Sequence, residues 1–132
     1  MATVESGLLV DTDILVDVYR NHGPTVALLS ALETTHTIQF DLLSEMELIA
    51  GCRNKDELSR SRGFLERFHR IVPSEQSLLR ASALLSQHYL SDGLSIPDAI
   101  IASTSIELGI PLLTRNLKHF RNIEGVVLFE SE

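Results

Sequence analysis

Short apolar segments alternate with helical patterns along the chain, and this alternation limits its possible folds more than any other feature. The apolar runs have the length and composition of buried strands. Because strands separated by helices pair in parallel, the pattern predicts a three-layer α/β/α fold with a short, mainly parallel central sheet. The predicted strands are 8–10, 36–40, 70–72, 110–113 and 125–129, and the predicted helices are 12–19, 24–34, 44–51, 54–68, 75–90 and 95–108.

Length and composition agree with a single domain over residues 1–132. With 44% apolar and 22% charged residues, the chain can bury a core, which excludes disorder and disulfide-stapled miniproteins. Cys52, the single cysteine, cannot form an internal disulfide, and residues 1–10 lack the basic region of a signal peptide. No apolar run approaches the roughly 18 residues of a membrane span. We therefore expect a cytoplasmic domain without membrane association.

Charge is distributed unevenly. The net charge of −7 argues against binding polyanions through the overall field. Residues 53–70 nevertheless carry six basic and three acidic residues, whereas the other five basic and fifteen acidic residues give −10. Arg53, Arg60 and Arg67 are seven apart, so they would share one side of a continuous helix and could bind RNA phosphates. The alternative is ion pairs with acidic residues four positions away on a solvated helix.

Acidic and polar residues follow two predicted strands directly. Asp11 follows the first strand, with Asp13 two residues on, and Thr114 and Asn116 follow the strand 110–113. Ligands of open α/β sheets bind beyond the carboxyl ends of the strands, which makes these positions candidates for one site. Asp11 and Asn116 could instead cap the helices that follow, and Asp13 could be a favourable charge in a first helical turn.

Two further acidic positions lie on predicted helices. Glu45 and Glu47 are about 200° apart around a helix, so they cannot both face one site. Glu47 borders the buried stripe near Leu43 and is therefore preferred. Asp98 forms a capping-box spacing with Ser95 and lies on the small-residue side of a buried helix, where its carboxylate can approach the sheet edge.

Asp11, Glu47 and Asp98, with the amide of Asn116, would form a site rich in negative charge. Carboxylates that share a site of low dielectric repel one another unless a cation offsets them. Mg²⁺ or Mn²⁺ prefers oxygen ligands, and the lack of paired His or Cys ligands argues against zinc. Such an ion activates water and stabilises charge on a phosphoryl group, which predicts phosphodiester hydrolysis.

Three segments carry a family resemblance: LLVDTDILVD, LLSEMELIAG and IPDAIIASTSIELGIPLLTRNLKHF. In these residues the chain resembles PIN domains, specifically the VapC-type ribonuclease toxins of toxin–antitoxin pairs. The resemblance implies a compact α/β fold, RNA cleavage with Mg²⁺ or Mn²⁺, a homodimer and a small inhibitory antitoxin. By motif it assigns the metal-binding acids to Asp11, Glu47 and Asp98. Asn116 stands where many relatives have a fourth Asp, which leaves open whether a second metal ion binds.

Four neighbouring side chains are further candidates for contact with substrate or metal-bound water: Thr12, Thr114, Arg115 and Lys118. Cations near helix ends also have a structural use, so the two basic residues have an alternative role. His69 and His119 are expected to be packing or surface residues. The apolar helices at 24–34 and 42–51 have more apolar surface than a small core hides, which also favours a homodimer.

Three alternative functions fit part of the pattern. The order Asp11-Thr12-Asp13 is similar to phosphatases of the haloacid dehalogenase type, but Leu15 and the lack of a later G-D-x-x-x-D depart from that signature. A receiver domain would need an Asp after its third strand, where this chain has Val72-Pro73-Ser74. The third alternative is a catalytically silent PIN-like binding module, in which Asn116 marks a lost metal site and the acidic pocket receives a partner's arginine.

Overall fold

The computed structural model describes residues 6–130, and within them four parallel strands form one sheet in the order β3-β2-β1-β4. The strands are β1 (Ser6–Val10), β2 (His36–Asp41), β3 (His69–Ile71) and β4 (Leu112–Leu113). The helices are α1 (Thr12–Tyr19), α2 (Gly23–Leu32), α3 (Leu42–Ala50), α4 (Lys55–Leu65), α5 (Glu75–Asp92), α6 (Ile96–Leu108) and α7 (Leu117–Phe120). The predicted α/β/α architecture with a parallel sheet is confirmed.

Both faces of the sheet are covered, because alternate residues of β1 enter different cores. Leu8 and Val10 pack with residues of α1 and α2, whereas Leu9 packs against α6 on the opposite face. A strand buried on both faces needs apolar residues at every position, which explains the continuous run of β1. The buried strand in turn fixes where the polar residues after it emerge.

The strand order reverses between β1 and β4, and this reversal creates a crevice at their carboxyl ends. From β1 the chain passes to β2 on one side, while β4 pairs on the other side with Val10 opposite Leu113. Asp11 is the residue after β1, and Thr114 is the residue after β4. The register therefore brings Asp11 and Thr114 together. Ligands of open α/β sheets bind at such reversal points.

Two predicted strands differ from the structure. The segment 125–129 forms only an isolated parallel bridge, between Leu128 and Leu112, because β4 is two residues long and offers little backbone to pair with. β3 begins at His69, and Val72 lies outside it and is exposed. The predicted helix 12–19 is present with the same ends, and the other predicted strands and helices are present with shifted ends.

The predicted helix over 54–68 ends at Leu65, so the three arginines do not share a continuous helix. Arg53 precedes α4 and Arg67 follows it. The ion-pair alternative is confirmed: Arg53 lies 2.8 Å from Glu57, and Arg60 lies 3.4 Å from Asp56. A single arginine row along one helix was therefore a wrong prediction.

None of the helices in the range 6–130 has the length and apolarity that a bilayer crossing requires. The expectation of no signal peptide depends partly on residues 1–5, which lie outside the described residues.

Candidate active site

Asp11 lies at the carboxyl end of β1 and is only 4% exposed. Its Oδ1 accepts a hydrogen bond from the N–H of Thr12, and its Oδ2 accepts one from the hydroxyl of Thr114, each at 2.7 Å. Burial, with a smaller contribution from the charges of Asp13 and Asp98, raises the pKa of the Asp11 carboxyl, and the two hydrogen bonds oppose this shift; the net result is a pKa of about 7. Asp11 is thus both the cap of α1 and a buried acid that forms no ion pair among residues 6–130.

Asp98 lies in the first turn of α6 and is half-buried. Its N–H donates to Oγ of Ser95 at 3.2 Å, which confirms the capping interaction. Its Oδ2 lies 3.0 Å from Nδ1 of His119. His119 is exposed, as expected, but it also contacts a candidate acid, which the sequence pattern did not predict although the residue closely follows the end of β4 at Leu113. The charge of Asp98 acts on Asp11, so these two carboxylates share one electrostatic site.

Glu47 approaches the same edge from α3. Its Oε1 accepts a hydrogen bond from the hydroxyl of Thr12 at 2.7 Å, and Oγ of the fully buried Ser44 lies 2.8 Å from that hydroxyl. Because Thr12 gives its only hydroxyl proton to Glu47, Ser44 donates to Thr12. Glu47 is exposed rather than at the buried margin, because Ser44 and Leu48 are the inward residues of α3. Glu45 is the half-buried glutamate, and it pairs with Arg70 at 3.2 Å.

Thr114 connects the end of β4 to Asp11. Its buried hydroxyl donates to Asp11 and accepts from the N–H of Asn116 at 3.0 Å. Asn116 is the N-cap residue of α7, but its side chain makes no capping hydrogen bond in the described part of the chain. The exposed amide of Asn116 is therefore available to a ligand.

Arg115 is held by a second pair of acids. Its N–H donates to Oδ2 of Asp13 at 3.1 Å, and its Nε lies 3.2 Å from Oδ2 of Asp17. Burial raises the pKa of Asp13, whereas Arg115 lowers it, and Oδ1 of Asp13 is buried without a hydrogen-bond partner among the described residues. Lys118 is exposed and has no ion pair within 6–130. Lys118 in α7 is thus an exposed cation, unpaired among the described residues, that remains available to a substrate.

A family model described as PIN domain matches residues 8–126, which contain all of these side chains. The chain belongs to the PIN-domain family. Ribonuclease VapC19 of Mycobacterium tuberculosis is 32% identical over 115 residues, which cover 85% of this PIN domain and 90% of the relative. The resemblance to VapC-type PIN domains is therefore confirmed.

Solved structures agree with this membership. A toxin–antitoxin complex from Klebsiella pneumoniae contains a chain that is 32% identical, with a TM-score of 0.73 and coverage of 94% of this PIN domain and 99% of that chain. VapBC2 from Rickettsia felis, bound to a promoter DNA fragment, gives a TM-score of 0.79 at 23% identity, with coverage of 96% and 99%. The second likeness shows the shared fold alone.

A metal ion would meet a suitable but incompletely assembled donor set in this PIN domain. Among residues 6–130, no group of three or more Asp, Glu, His or Cys side chains is arranged to hold a metal ion. Asp11 and Asp98 interact through their charges, but Glu47 reaches Asp11 only through Thr12. The expected close cluster of three carboxylates is therefore not preformed. The donors are nonetheless all oxygens, and the buried, uncompensated Asp11 suits a hard divalent cation.

Asp41 is a buried acid that the sequence motifs did not single out. The predicted strand 36–40 stops one residue short of it, so the sequence pattern assigns Asp41 to neither the strand nor the site. In the structure Asp41 ends β2 and is 0% exposed. Burial raises its pKa, and hydrogen bonds from Thr104 and the N–H of Leu43 oppose that shift. Its position directly after an apolar strand, like that of Asp11, was the signal that could have identified it.

Proposed function

We propose that this PIN domain is a metal-dependent endoribonuclease that acts as the toxin of a type II toxin–antitoxin pair. The proposal depends chiefly on the buried carboxylate of Asp11 at the strand reversal, beside the charge of Asp98. Its relative from M. tuberculosis is named a ribonuclease, and the relatives of known structure include toxin–antitoxin complexes. The proposed reaction is hydrolysis of RNA phosphodiester bonds.

Mg²⁺ or Mn²⁺ is the proposed cofactor, and Asp11, Asp98 and Glu47 would hold it, with the amide of Asn116 beside them. When bound, the ion activates water and stabilises the charge that develops on the phosphoryl group. Because the pKa of Asp11 is about 7, part of its carboxyl population carries a proton at neutral pH, and this proton must leave when a cation binds. Asn116 contributes no negative charge, which limits the charge available to a second ion.

The hydroxyls of Thr12 and Thr114 hold the carboxylates of Glu47 and Asp11 in this arrangement. Arg115 is bound by Asp13 and Asp17, so we assign it to orienting the strand end rather than to free capture of phosphate. Lys118 is the proposed contact for RNA phosphates, because it is exposed and lacks an acidic partner within residues 6–130.

A small antitoxin, a homodimer and a cytoplasmic location complete the proposal. The antitoxin follows from the complexes that contain the relatives. The homodimer is supported by exposed apolar residues beside two adjoining grooves between α3, α5 and α6, namely Met46, Val72, Leu78 and Ile96. Light scattering of the purified chain at several concentrations tests this assembly, and a monomer at all concentrations would contradict it.

The competing function is a catalytically silent binding module. It is favoured by one observation, since Glu47 and Asp98 are engaged by Thr12 and His119 instead of forming a ligand set with Asp11. Such a module would use the acidic edge to receive a cationic side chain from a protein partner.

Calorimetric titration with Mn²⁺ and an RNA cleavage assay separate the two functions. The ribonuclease predicts heat of Mn²⁺ binding, cleavage that EDTA stops, and loss of cleavage in Asp98→Ala. The melting temperature of that variant should change by only a few °C, because Ser95 still caps α6. A folded chain that gives no heat with Mn²⁺ would favour the silent module. Equal cleavage by wild type and variant would indicate a contaminating nuclease and refute the proposal.

A further inference from the structure

Asp41 makes two short hydrogen bonds at the junction of β2 and α3. Its Oδ1 accepts from the N–H of Leu43 at 2.8 Å and thereby caps α3. Its Oδ2 accepts from the hydroxyl of Thr104 at 2.6 Å. A fully buried carboxylate is costly unless donors satisfy it, and here each oxygen has one. Asp41 and Thr104 therefore form a specific buried contact, which we call the Asp41–Thr104 link.

The link joins the two helices that carry candidate metal-binding acids. Asp41 caps α3, which presents Glu47, and Thr104 is a buried residue of α6 that lies six positions after Asp98. The two linked residues are 63 positions apart in sequence. No other hydrogen bond described within residues 6–130 joins the side chains of α6 to the cap of α3.

We infer that the Asp41–Thr104 link is a positioning device for the candidate metal centre, because it fixes α3 relative to α6 and hence Glu47 relative to Asp98. This inference rests on the proposed function. Neither linked residue touches the ion or RNA in this scheme, so both are positioning residues. Contacts that orient metal-binding side chains typically change metal affinity or activity about 10- to 100-fold when they are removed.

Conservative substitutions separate the geometry of the link from its charge. Thr104→Val removes the hydroxyl at nearly constant volume, whereas Thr104→Ser keeps it. In Asp41→Asn, the amide oxygen can accept from Leu43 and the amide N–H can donate to the Thr104 hydroxyl. That hydroxyl can then donate to the carbonyl of Ile100, which lies 3.0 Å away. Asp41→Asn thus keeps the link without its charge.

Ser103 provides the matched control for lost stability. It neighbours Thr104 on α6, is fully buried, and donates to the carbonyl of Ser77 on α5 at 2.6 Å. Ser103→Ala therefore removes a comparable buried hydrogen bond from the same helix without touching α3.

The test is Mn²⁺ calorimetry on the full chain, with thermal melts in EDTA and cleavage kinetics in parallel. Thr104→Val should bind Mn²⁺ about 10-fold or more weakly and lose kcat with little change in KM for RNA. Thr104→Ser and Asp41→Asn should stay within about threefold of wild type, below the effect of a lost orienting contact. Ser103→Ala should melt at a lower temperature and keep its Mn²⁺ affinity.

Three results would overturn the inference. If Thr104→Val binds Mn²⁺ as tightly as wild type, the Asp41–Thr104 link does not position the metal-binding acids. An equal loss of affinity in Ser103→Ala would reduce the effect to general destabilisation. A loss of Mn²⁺ affinity in Asp41→Asn but not in Thr104→Val would show that the charge of Asp41, and not the hydrogen bond, affects metal binding. Failure of the wild type itself to bind Mn²⁺ is a different result, because it contradicts the proposed ribonuclease and the inference with it.

Discussion

Asp11 and Asp41 occupy equivalent places at the carboxyl ends of the neighbouring strands β1 and β2. Each caps the helix that follows, and each accepts a hydrogen bond from a threonine hydroxyl far along the chain, Thr114 at 2.7 Å and Thr104 at 2.6 Å. The two pairs differ in the charges around them. Asp11 faces Asp13 and Asp98 at the strand reversal, whereas the charge acting on Asp41 is that of Glu47.

The difference shows that position in the topology, and not the local capping motif, separates the roles of the two acids. Asp11 lies at the reversal between β1 and β4, where a ligand can enter and where acids converge. Asp41 ends β2, which lies between β1 and β3 in the sheet. It caps α3, contacts Thr104 of α6 and is closed to solvent. We therefore assign chemistry to the Asp11–Thr114 pair and positioning to the Asp41–Thr104 link.

Cleavage activity should separate the two aspartates most strongly. Asp11→Asn keeps an oxygen for the Thr12 cap but removes the charge of the central ligand, so we expect about a thousandfold loss of cleavage, equivalent to several kcal/mol of metal-centred stabilisation. Asp41→Asn keeps its link and should retain most activity. Single-turnover cleavage in saturating Mn²⁺ measures both. Equal losses in the two variants would remove the distinction between them.

The stability of the metal-free protein should depend on pH through Asp11. Its pKa is raised from 3.8 to about 7 in the folded state, so folding favours the protonated carboxyl. The stabilisation is fully present below about pH 4 and is lost as pH rises to about 7, by at most about 4 kcal/mol. Asp13 and Asp41, whose pKa values are also raised, act in the same direction.

Denaturant titrations in EDTA at pH 4.5 and 7.5 test this pH dependence. Asp11→Asn should be more stable than wild type at pH 7.5 and close to wild type at pH 4.5, which isolates Asp11 from the other acids. If the difference in the free energy of unfolding between Asp11→Asn and wild type is the same at pH 4.5 and pH 7.5, Asp11 does not titrate with a raised pKa.

Mn²⁺ should protect the wild-type protein against unfolding and leave Asp11→Asn nearly unprotected. A ligand that binds only the folded state adds about 2.7 kcal/mol at a concentration 100 times its Kd. Thermal melts at pH 7.5 with increasing Mn²⁺ measure the effect, with Asp41→Asn as the variant that should still be protected. Protection of Asp11→Asn equal to that of wild type would place the ion elsewhere.

The sequence was sufficient to predict the main elements and one acid at the sheet edge. The buried run before Asp11, the capping box at Ser95 and the glycine after α6 are local signals, and local signals survive in the structure. The strand at 125–129 was overpredicted because pairing depends on the length of β4, which is a property of the partner. Sequence patterns do not report such distant partners.

The partners of the site side chains could not be predicted for the same reason. Glu47 was favoured for a place at the buried margin, yet it is exposed and meets Thr12 across 35 positions. His119 meets Asp98, and Thr104 meets Asp41, through contacts that only the packing of α6 creates. The residue types indicated a metal site, whereas the register and packing decide which oxygens remain for a cation.

Removal of the Thr114 hydroxyl should destabilise the site in proportion to the charge on Asp11. In Thr114→Val, the ionised carboxylate loses a buried donor, which costs about 1.5–3 kcal/mol, while the protonated acid loses less. The variant should therefore lose more stability at pH 8 than at pH 5, by denaturant titration in EDTA. Thr104→Val provides the comparison at the Asp41–Thr104 link. A Thr114→Val deficit that does not change with pH would contradict a titrating Asp11.

The smallest expected effect concerns which end of the sheet RNA contacts. Lys118 lies in α7, four residues after Thr114, and lacks an acidic partner within 6–130, whereas Arg70 in β3 is paired with Glu45 at 3.2 Å. Lys118→Ala, made in an Asp98→Asn background that we expect to bind RNA without cleaving it, should weaken RNA binding several-fold and lower the slope of log affinity against log salt by about 1. Arg70→Ala is the matched loss of one cation at the β3 edge, and it should leave that slope unchanged because its charge is already neutralised. A lower slope for Arg70→Ala with none for Lys118→Ala would move the RNA path from the strand reversal at Asp11 to the opposite edge of the sheet.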